Sequence, residues 1–412
     1  MNASEAVRDE TIELLMDLIR IPSTRGGEGP AIRLLHQALT PFVDQNEFVP
    51  IRDSIMEDPD YAFRIPGISY ADRPNLECII RGRGDGPSIV FNTHLDVVPP
   101  SEGQEHAFSP HLKHGKIYGR GACDAKGQAA TLFALAKLLS HSGAKPAGDL
   151  FFHFVVEEEN GGNGTLAMVR RGVAADCAVV LEPSELAVVP AVRGAVWFEL
   201  KTFGYASHSG SKDRAVSALK EVVQAMSILE RYHDRLLEAS RGDPLFDRHE
   251  DPMPITFGEC AAGKWPASVP SEATVKGVLG FLPNTDRHQV QLQMAEAIRD
   301  EGDEWLRDHF EIDFPMLNSD GYGLDAKHPL VRELVEAVQQ QGASGEICAM
   351  TAACDAWFYN NQAGIPTVVF GPGSLRHAHS HDEQIRVDDI MTAASALYAF
   401  VQSFDESELN DE

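Results

Sequence analysis

The chain contains no Cys-x-x-Cys pair. Its six cysteines (Cys78, Cys123, Cys177, Cys260, Cys348, Cys354) stand singly and far apart, a usage that argues against a cysteine zinc site and fits reduced, mostly buried thiols. Long apolar runs are missing too. No stretch approaches the roughly 18 apolar residues that a membrane span needs, which excludes a membrane protein. Residues 1–20 have neither a basic start nor a signal-type apolar block; acids alternate there with apolar residues at helical spacing (Val7, Ile12, Leu14, Leu15, Leu18, Ile19). Nothing in that segment directs export, and a cytoplasmic location is the expectation. Positive charge is scarce, with 35 Lys and Arg against 62 Asp and Glu and a formal net charge of −27. Such a balance repels nucleic acid and anionic membranes, leaving small molecules and cations as the partners that electrostatics favours. Repeats and low-complexity tracts are absent, and the acidic tail 405–412 reads as a frayed end.

What is present begins with length. At 412 residues the chain exceeds the roughly 250–300 residues at which single cores stop growing, so two domains are expected. Short apolar runs at 88–91, 150–156 and 178–181 alternate with helical patterns such as 127–139, an arrangement that argues for an α/β fold with a largely parallel sheet. From about residue 192 the texture changes. An alternating strand (196–202), a long helix (215–237), two strands (255–259 and 273–281), a helix (287–307) and a last strand (311–314) follow in the order of a ferredoxin-like α+β unit. The first texture returns after about residue 318, with a helix at 330–340 and a buried-type strand at 367–370. The expected organisation is a discontinuous catalytic domain (1–191 and 319–412) interrupted by a smaller domain (192–318).

The polar residues at the ends of the apolar runs carry the chemistry. Period-two alternation puts His94 and Asp96 on one face at the end of a strand, where a carboxylate can orient an imidazole. The glycine-punctuated loop Gly119–Gly127 delivers Asp124 to the start of a helix, where it reads as a helix N-cap unless other ligands converge on the same place. Glu157, Glu158 and Glu159 follow the strand at 151–156, Glu182 follows the one at 178–181, and His377, His379 and His381 lie beyond the one at 367–370. Open α/β sheets bind their ligands at the carboxyl ends of their parallel strands. Five segments thus bring His, Asp, Glu, Glu and His to one rim. That donor set suits zinc and its divalent neighbours, and an Asp can bridge two ions.

These motifs, with Ile21-Pro22-Ser23 after the first helix, resemble the zinc-dependent peptidases and deacylases that include acetylornithine deacetylase, succinyl-diaminopimelate desuccinylase, aminoacylase and carboxypeptidase G. The resemblance covers nearly the whole chain. It implies that His94, Asp124 and Glu182 hold one zinc and Asp124, Glu159 and His379 the other, with cobalt or manganese as possible substitutes. Asp96 would steady His94, and Glu158 would be the general base. The family spacing of two acids, one residue and a glycine selects Glu158 and Glu159 and leaves Glu157 a bystander. A histidine four residues before a glutamate selects His379 with Glu383 over His377 and His381. In the inserted domain, the stretch from Gly204 to Gly210 resembles the family's lid histidine, which implies that His208 reaches a partner subunit's site in a homodimer and helps stabilise an oxyanion. Without the resemblance, His208 reads as a surface histidine.

The chain also departs from the family. Ser211-Lys212-Asp213-Arg214-Ala215 replaces the usual proline and Gly-x-Asn-Ala stretch. Gly280 stands where many members place an arginine for the substrate carboxylate, which leaves Arg193, Lys264 or Arg376 to supply that charge. Asp355 resembles a pocket residue and reads equally as the start of a helix. The expected substrate is an N-acyl amino acid, with a di- or carboxypeptidase as the alternative within the family and a non-catalytic binder of amino-acid derivatives as the alternative outside it.

Overall fold

A computed structural model of the chain describes residues 3–208, 210 and 214–404. The tail 405–412 and residues 209 and 211–213, on which some of the above expectations fall, lie outside the described residues. The chain divides into two compact units, one of residues 1–190, 324–348 and 354–412, the other of residues 191–323 and 349–353. The sequence put the breaks at 191/192 and 318/319. The units exchange chain at 190/191 and 323/324, and the short segment 349–353 rejoins the second.

The first unit is built on a sheet whose central strands are parallel. Leu150–Val155, Ile89–His94, Cys177–Val180 and Thr367–Val369 run side by side in that order. Asn75–Ile80 and then Gln45–Val49 extend one edge in the antiparallel sense. Beyond the other edge, Val189 pairs antiparallel with Val369. Every residue of Ile89–His94 and Cys177–Val180 is buried. Strands covered on both faces read as continuous apolar runs rather than alternating ones, which is why these were legible in the sequence. The helix Lys126–Ser142 is also buried almost all round. It packs between the helices Ala3–Arg20 and Val387–Ser403, and Gly143 in the left-handed conformation closes it.

The second unit has the element order strand, helix, strand, strand, helix, strand. Its antiparallel sheet runs Ile255–Ala262, Glu272–Phe281, Gly194–Phe203, Phe310–Asp313, with Asn318–Ser319 also on Gly194–Phe203. Val196, Phe198 and Leu200 alternate inward and join Val222, Ile228, Leu229, Val290 and Met294 of the helices Ala218–Ala239 and Arg287–Glu301 in one core. The second helix is shorter than the sequence pattern suggested. Gly302 is extended there, at ψ 155°, and Asp303 Oδ1 accepts the N–H groups of Trp305 and Leu306, starting a separate turn.

Candidate metal centre

His94 closes its strand, and Glu157–Glu159, Glu182 and His379 follow the carboxyl ends of the neighbouring parallel strands. Asp124 comes from the loop before the buried helix. It does not cap that helix, because Ala125 occupies the N-cap position and no side chain caps it. Its carboxylate turns to two histidines instead. Oδ1 lies 3.0 Å from His94 Nε2 and Oδ2 lies 3.3 Å from His379 Nε2. Glu182 Oε1 is 3.8 Å from His94 Nε2, and Glu159 Oε1 is 2.9 Å from His379 Nε2. The residues form two overlapping groups, His94 with Asp124 and Glu182, and Asp124 with Glu159 and His379, each with its ligand atoms within 4.8 Å of one another. Asp124 is the shared member. Glu158 belongs to neither group, and its Oε2 stands 4.0 Å from His94 Nε2. His377 and His381 also lie outside both groups.

Backbone geometry aims these side chains. His94 Nδ1 donates to the Asp96 carbonyl at 3.0 Å, which turns Nε2 to Asp124 and leaves it as the nitrogen that could ligate an ion once it gives up its proton. The Asp96 carboxylate, expected to steady His94, lies 3.5 Å from that ring. Its closer partners are the N–H groups of Glu158 and Glu159, at 3.1 and 3.0 Å.

Glu157 points away from the groups but is no bystander. It takes a positive φ of 62° and is buried. Its oxygens accept from Tyr70 Oη at 2.5 Å, Arg73 Nη2 at 2.7 Å and Asn163 Nδ2 at 3.0 Å. Glu383 is likewise buried, and its Oε1 accepts the N–H groups of Cys123 and Asp124 at 3.0 and 3.1 Å. Asp355 is buried, with Oδ2 accepting from Thr165 Oγ1 at 2.6 Å. Gly162 makes room for it, since a Cβ there would sit 2.4 Å from Asp355 Oδ1.

Charge is the dominant fact of this rim. Burial pushes Glu158 and Glu182 well above the ordinary carboxylate range and outweighs the nearby His94. Burial, then the Asp124 carboxylate, raises Glu159 to about 7. Burial raises Asp355 to about 7 as well. Burial also opposes the charge on His94, but Asp124 and Asp96 outweigh it and hold that imidazole well above its usual value. Hydrogen bonds to Asp124 and then Glu159 lift His379 to about 10. Buried carboxylates in excess of buried cations need a positive partner, and imidazoles with carboxylates are the donors that zinc, cobalt and manganese accept. The residues present therefore fit divalent ions.

A family model described as peptidase family M20/M25/M40 matches residues 90–403. The chain belongs to that family. Members are hydrolases of amide bonds, and curated relatives keep that chemistry in their names. An N-formyl-4-amino-5-aminomethyl-2-methylpyrimidine deformylase of Bacillus subtilis is 27% identical over 374 residues, covering 81% of this chain and 84% of that one. An acetylornithine deacetylase of Myxococcus xanthus is 29% identical over 339 residues, with coverage of 81% and 84%. In fold, the chain is similar to a crystal structure of a Staphylococcus aureus tripeptidase, with TM-score 0.76, 18% identity and coverage of 96% and 98%. The M20 fold is thus a mixed α/β unit with a largely parallel central sheet plus a smaller unit, as the sequence implied.

Of the other residues singled out, His208 lies in the second unit, exposed, with its Nδ1 accepting from the Gly210 N–H at 3.1 Å. Arg193 is also in the second unit. It donates to the carbonyls of Thr351 and Gly194 at 2.5 and 3.0 Å, and burial lowers it to about 10. A Cβ on Gly280 would stand 3.0 Å from Arg193 Nη1, so the glycine leaves that guanidinium its place. Lys264 and Arg376 are exposed.

Proposed function

We propose that this member is a deacylase that hydrolyses the amide bond of a small N-acyl amino acid or a similar N-acylated amine, at two divalent ions with zinc the first choice. His94, Asp124 and Glu182 would hold one ion and Asp124, Glu159 and His379 the other. The observation that carries the proposal is the orientation of Asp124, whose two oxygens each face a different histidine. Ions held there supply Lewis acidity toward a water and toward the scissile carbonyl.

The chain's own residues do the proton work. Glu158 shares the rim without belonging to either ligand group. Its carboxylate takes the proton of the attacking water, and the raised proton affinity that burial confers suits it to return that proton to the departing nitrogen. Asp96 fixes the base through its backbone N–H. No covalent enzyme intermediate is involved. The departures from the family at 211–215 leave the dimer and the reach of His208 into a partner site resting on resemblance; both belong to this proposal, and sedimentation of the purified chain tests the first.

A deacylase is favoured over a peptidase because Glu182 resembles the ligand glutamate of deacylases and because two relatives in the match are named for removing acetyl and formyl groups. The test is hydrolysis of N-formyl, N-acetyl and N-succinyl amino acids and of dipeptides by the zinc-loaded chain. Cleavage of the acyl compounds ahead of the dipeptides supports the proposal. Preferred cleavage of dipeptides replaces it with a peptidase, and zinc uptake with no cleavage of any compound replaces it with a binding protein.

A further inference from the structure

One guanidinium is tied to two of the three loops that supply the Asp124, Glu159 and His379 group, those of Asp124 and His379, and the reaction proposed above does not use it. Arg120 is 1% exposed. Its Nη1 donates to Glu383 Oε2 at 2.6 Å, and the other oxygen of Glu383 receives the N–H groups of Cys123 and Asp124. Its Nη2 donates to Ser101 Oγ at 3.2 Å and to Gln104 Oε1 at 3.1 Å. Ser101 Oγ donates in turn to the His379 carbonyl at 3.3 Å, and Gln104 Nε2 donates to the carbonyls of Ser380 at 3.4 Å and His381 at 3.0 Å. One arm of this network holds the backbone of Asp124 and the other holds the backbone of His379.

His379 needs such support. It adopts a positive φ of 58°, a conformation that a residue with a Cβ keeps only when its surroundings impose it. Its ring is half exposed, with a side-chain exposure of 50%, against 1% for His94. Burial and the bond to the Asp96 carbonyl hold His94, whereas the more exposed His379 has the Ser101 bond to its carbonyl and the Gln104 bonds to the next two. The Arg120 and Glu383 pair carries a desolvation cost of its own, and Arg120 Nε has no partner among the described residues. An apolar pair could fill the same volume without that cost, but it could not hold two loops at a set separation.

We infer that Arg120 is a positioning residue that sets the spacing of Asp124 and His379, and so tunes the divalent-ion affinity of the Asp124, Glu159 and His379 group more than that of the His94, Asp124 and Glu182 group. The inference rests on the metal reading above. Zinc alone is the probe, titrated into the metal-free full chain in competition with a chromophoric chelator, for the wild type, Arg120→Lys, and the milder Gln104→Ala, which removes the hydrogen bonds to the Ser380 and His381 carbonyls and leaves the Glu383 arm in place.

The wild type is expected to take up two ions. In Arg120→Lys one ion should bind roughly 10–100-fold more weakly, the usual effect of removing support behind a ligand, and the other should be weakened much less. Gln104→Ala should weaken the same ion by less, with an unchanged melting temperature. Two ions bound with wild-type affinities in both variants would overturn the inference, as would equal weakening of both ions in step with a lower melting temperature, the signature of a merely structural pair. A wild type that takes up no zinc would instead overturn the metal reading, and the inference with it.

Discussion

The carboxylate of Asp96 accepts the backbone N–H of Glu158 at 3.1 Å and, through its other oxygen, that of Glu159 at 3.0 Å. A single side chain thus orients both the proposed base and a proposed ligand. In Asp96→Asn one acceptor becomes a donor facing an N–H. The expected result is a kcat lower by roughly 10–100-fold with a smaller change in KM. Steady-state kinetics at full metal occupancy checks it, and an unchanged kcat would show that the clamp is dispensable.

Arg73 lies between two buried carboxylates, donating to Glu28 at 2.6 Å and Glu157 at 2.7 Å, with all three side chains at most 5% exposed. Replacing it by Met strands two charges in the interior. We expect a loss of about 3–5 kcal/mol, read from the denaturant midpoint. A loss below about 1 kcal/mol would mean that water or protonation relieves those carboxylates.

Glu77 is held at about 2, first by its hydrogen bond to His153 and then, against burial, by Arg171. A carboxyl held below its unfolded value adds stability that is fully present above about 4.5 and is lost as pH falls toward about 2. Glu77→Gln should therefore lower stability near neutral pH by on the order of 2 kcal/mol. Its melting curve should converge with that of the wild type in acid. A difference that persists unchanged at the lowest pH at which both variants fold would refute the assignment.

Metal loading should release protons. At neutral pH the metal-free site keeps protons on His379, held at about 10 by Asp124 and Glu159, and on His94, where the same Asp124 and Asp96 outweigh burial. Glu159, raised to about 7 by burial and Asp124, is partly protonated. Ligation needs neutral imidazoles and ionised carboxylates, so affinity should rise with pH. Zinc titration calorimetry in buffers of different ionisation enthalpy should report more than one proton released per chain at pH 7; heats independent of the buffer would contradict this.

The parts of this site that the sequence disclosed are those that sit at strand ends. His94, Glu159 and Glu182 each follow a run buried on both faces, so the apolar pattern itself marks the rim, and the family spacing then separated His379 from His377 and His381. The supporting residues were not legible. Arg73 and Glu157 are 84 residues apart and Arg120 and Glu383 are 263 apart, and no local pattern connects them. The family spacing that selects Glu158 and Glu159 leaves Glu157 without a role, because it says nothing about the buried partners, Tyr70, Arg73 and Asn163, that Glu157 meets. The edge strand Gln45–Val49 also escaped notice, because it is short, polar and mostly exposed. The helix begun at Arg287 was read six residues too long (307 against Glu301), because the amphipathic pattern runs on through a turn that Gly302 and Asp303 start.

The central claim is that Glu158 moves the proton and does not hold the metal. Glu158→Gln tests it directly, with zinc content and amide hydrolysis measured on the same preparation. The account predicts two zinc ions per chain and a kcat lower by roughly 10²–10⁴-fold. A variant that loses an ion would make Glu158 a ligand, and one that keeps wild-type turnover would place the base elsewhere.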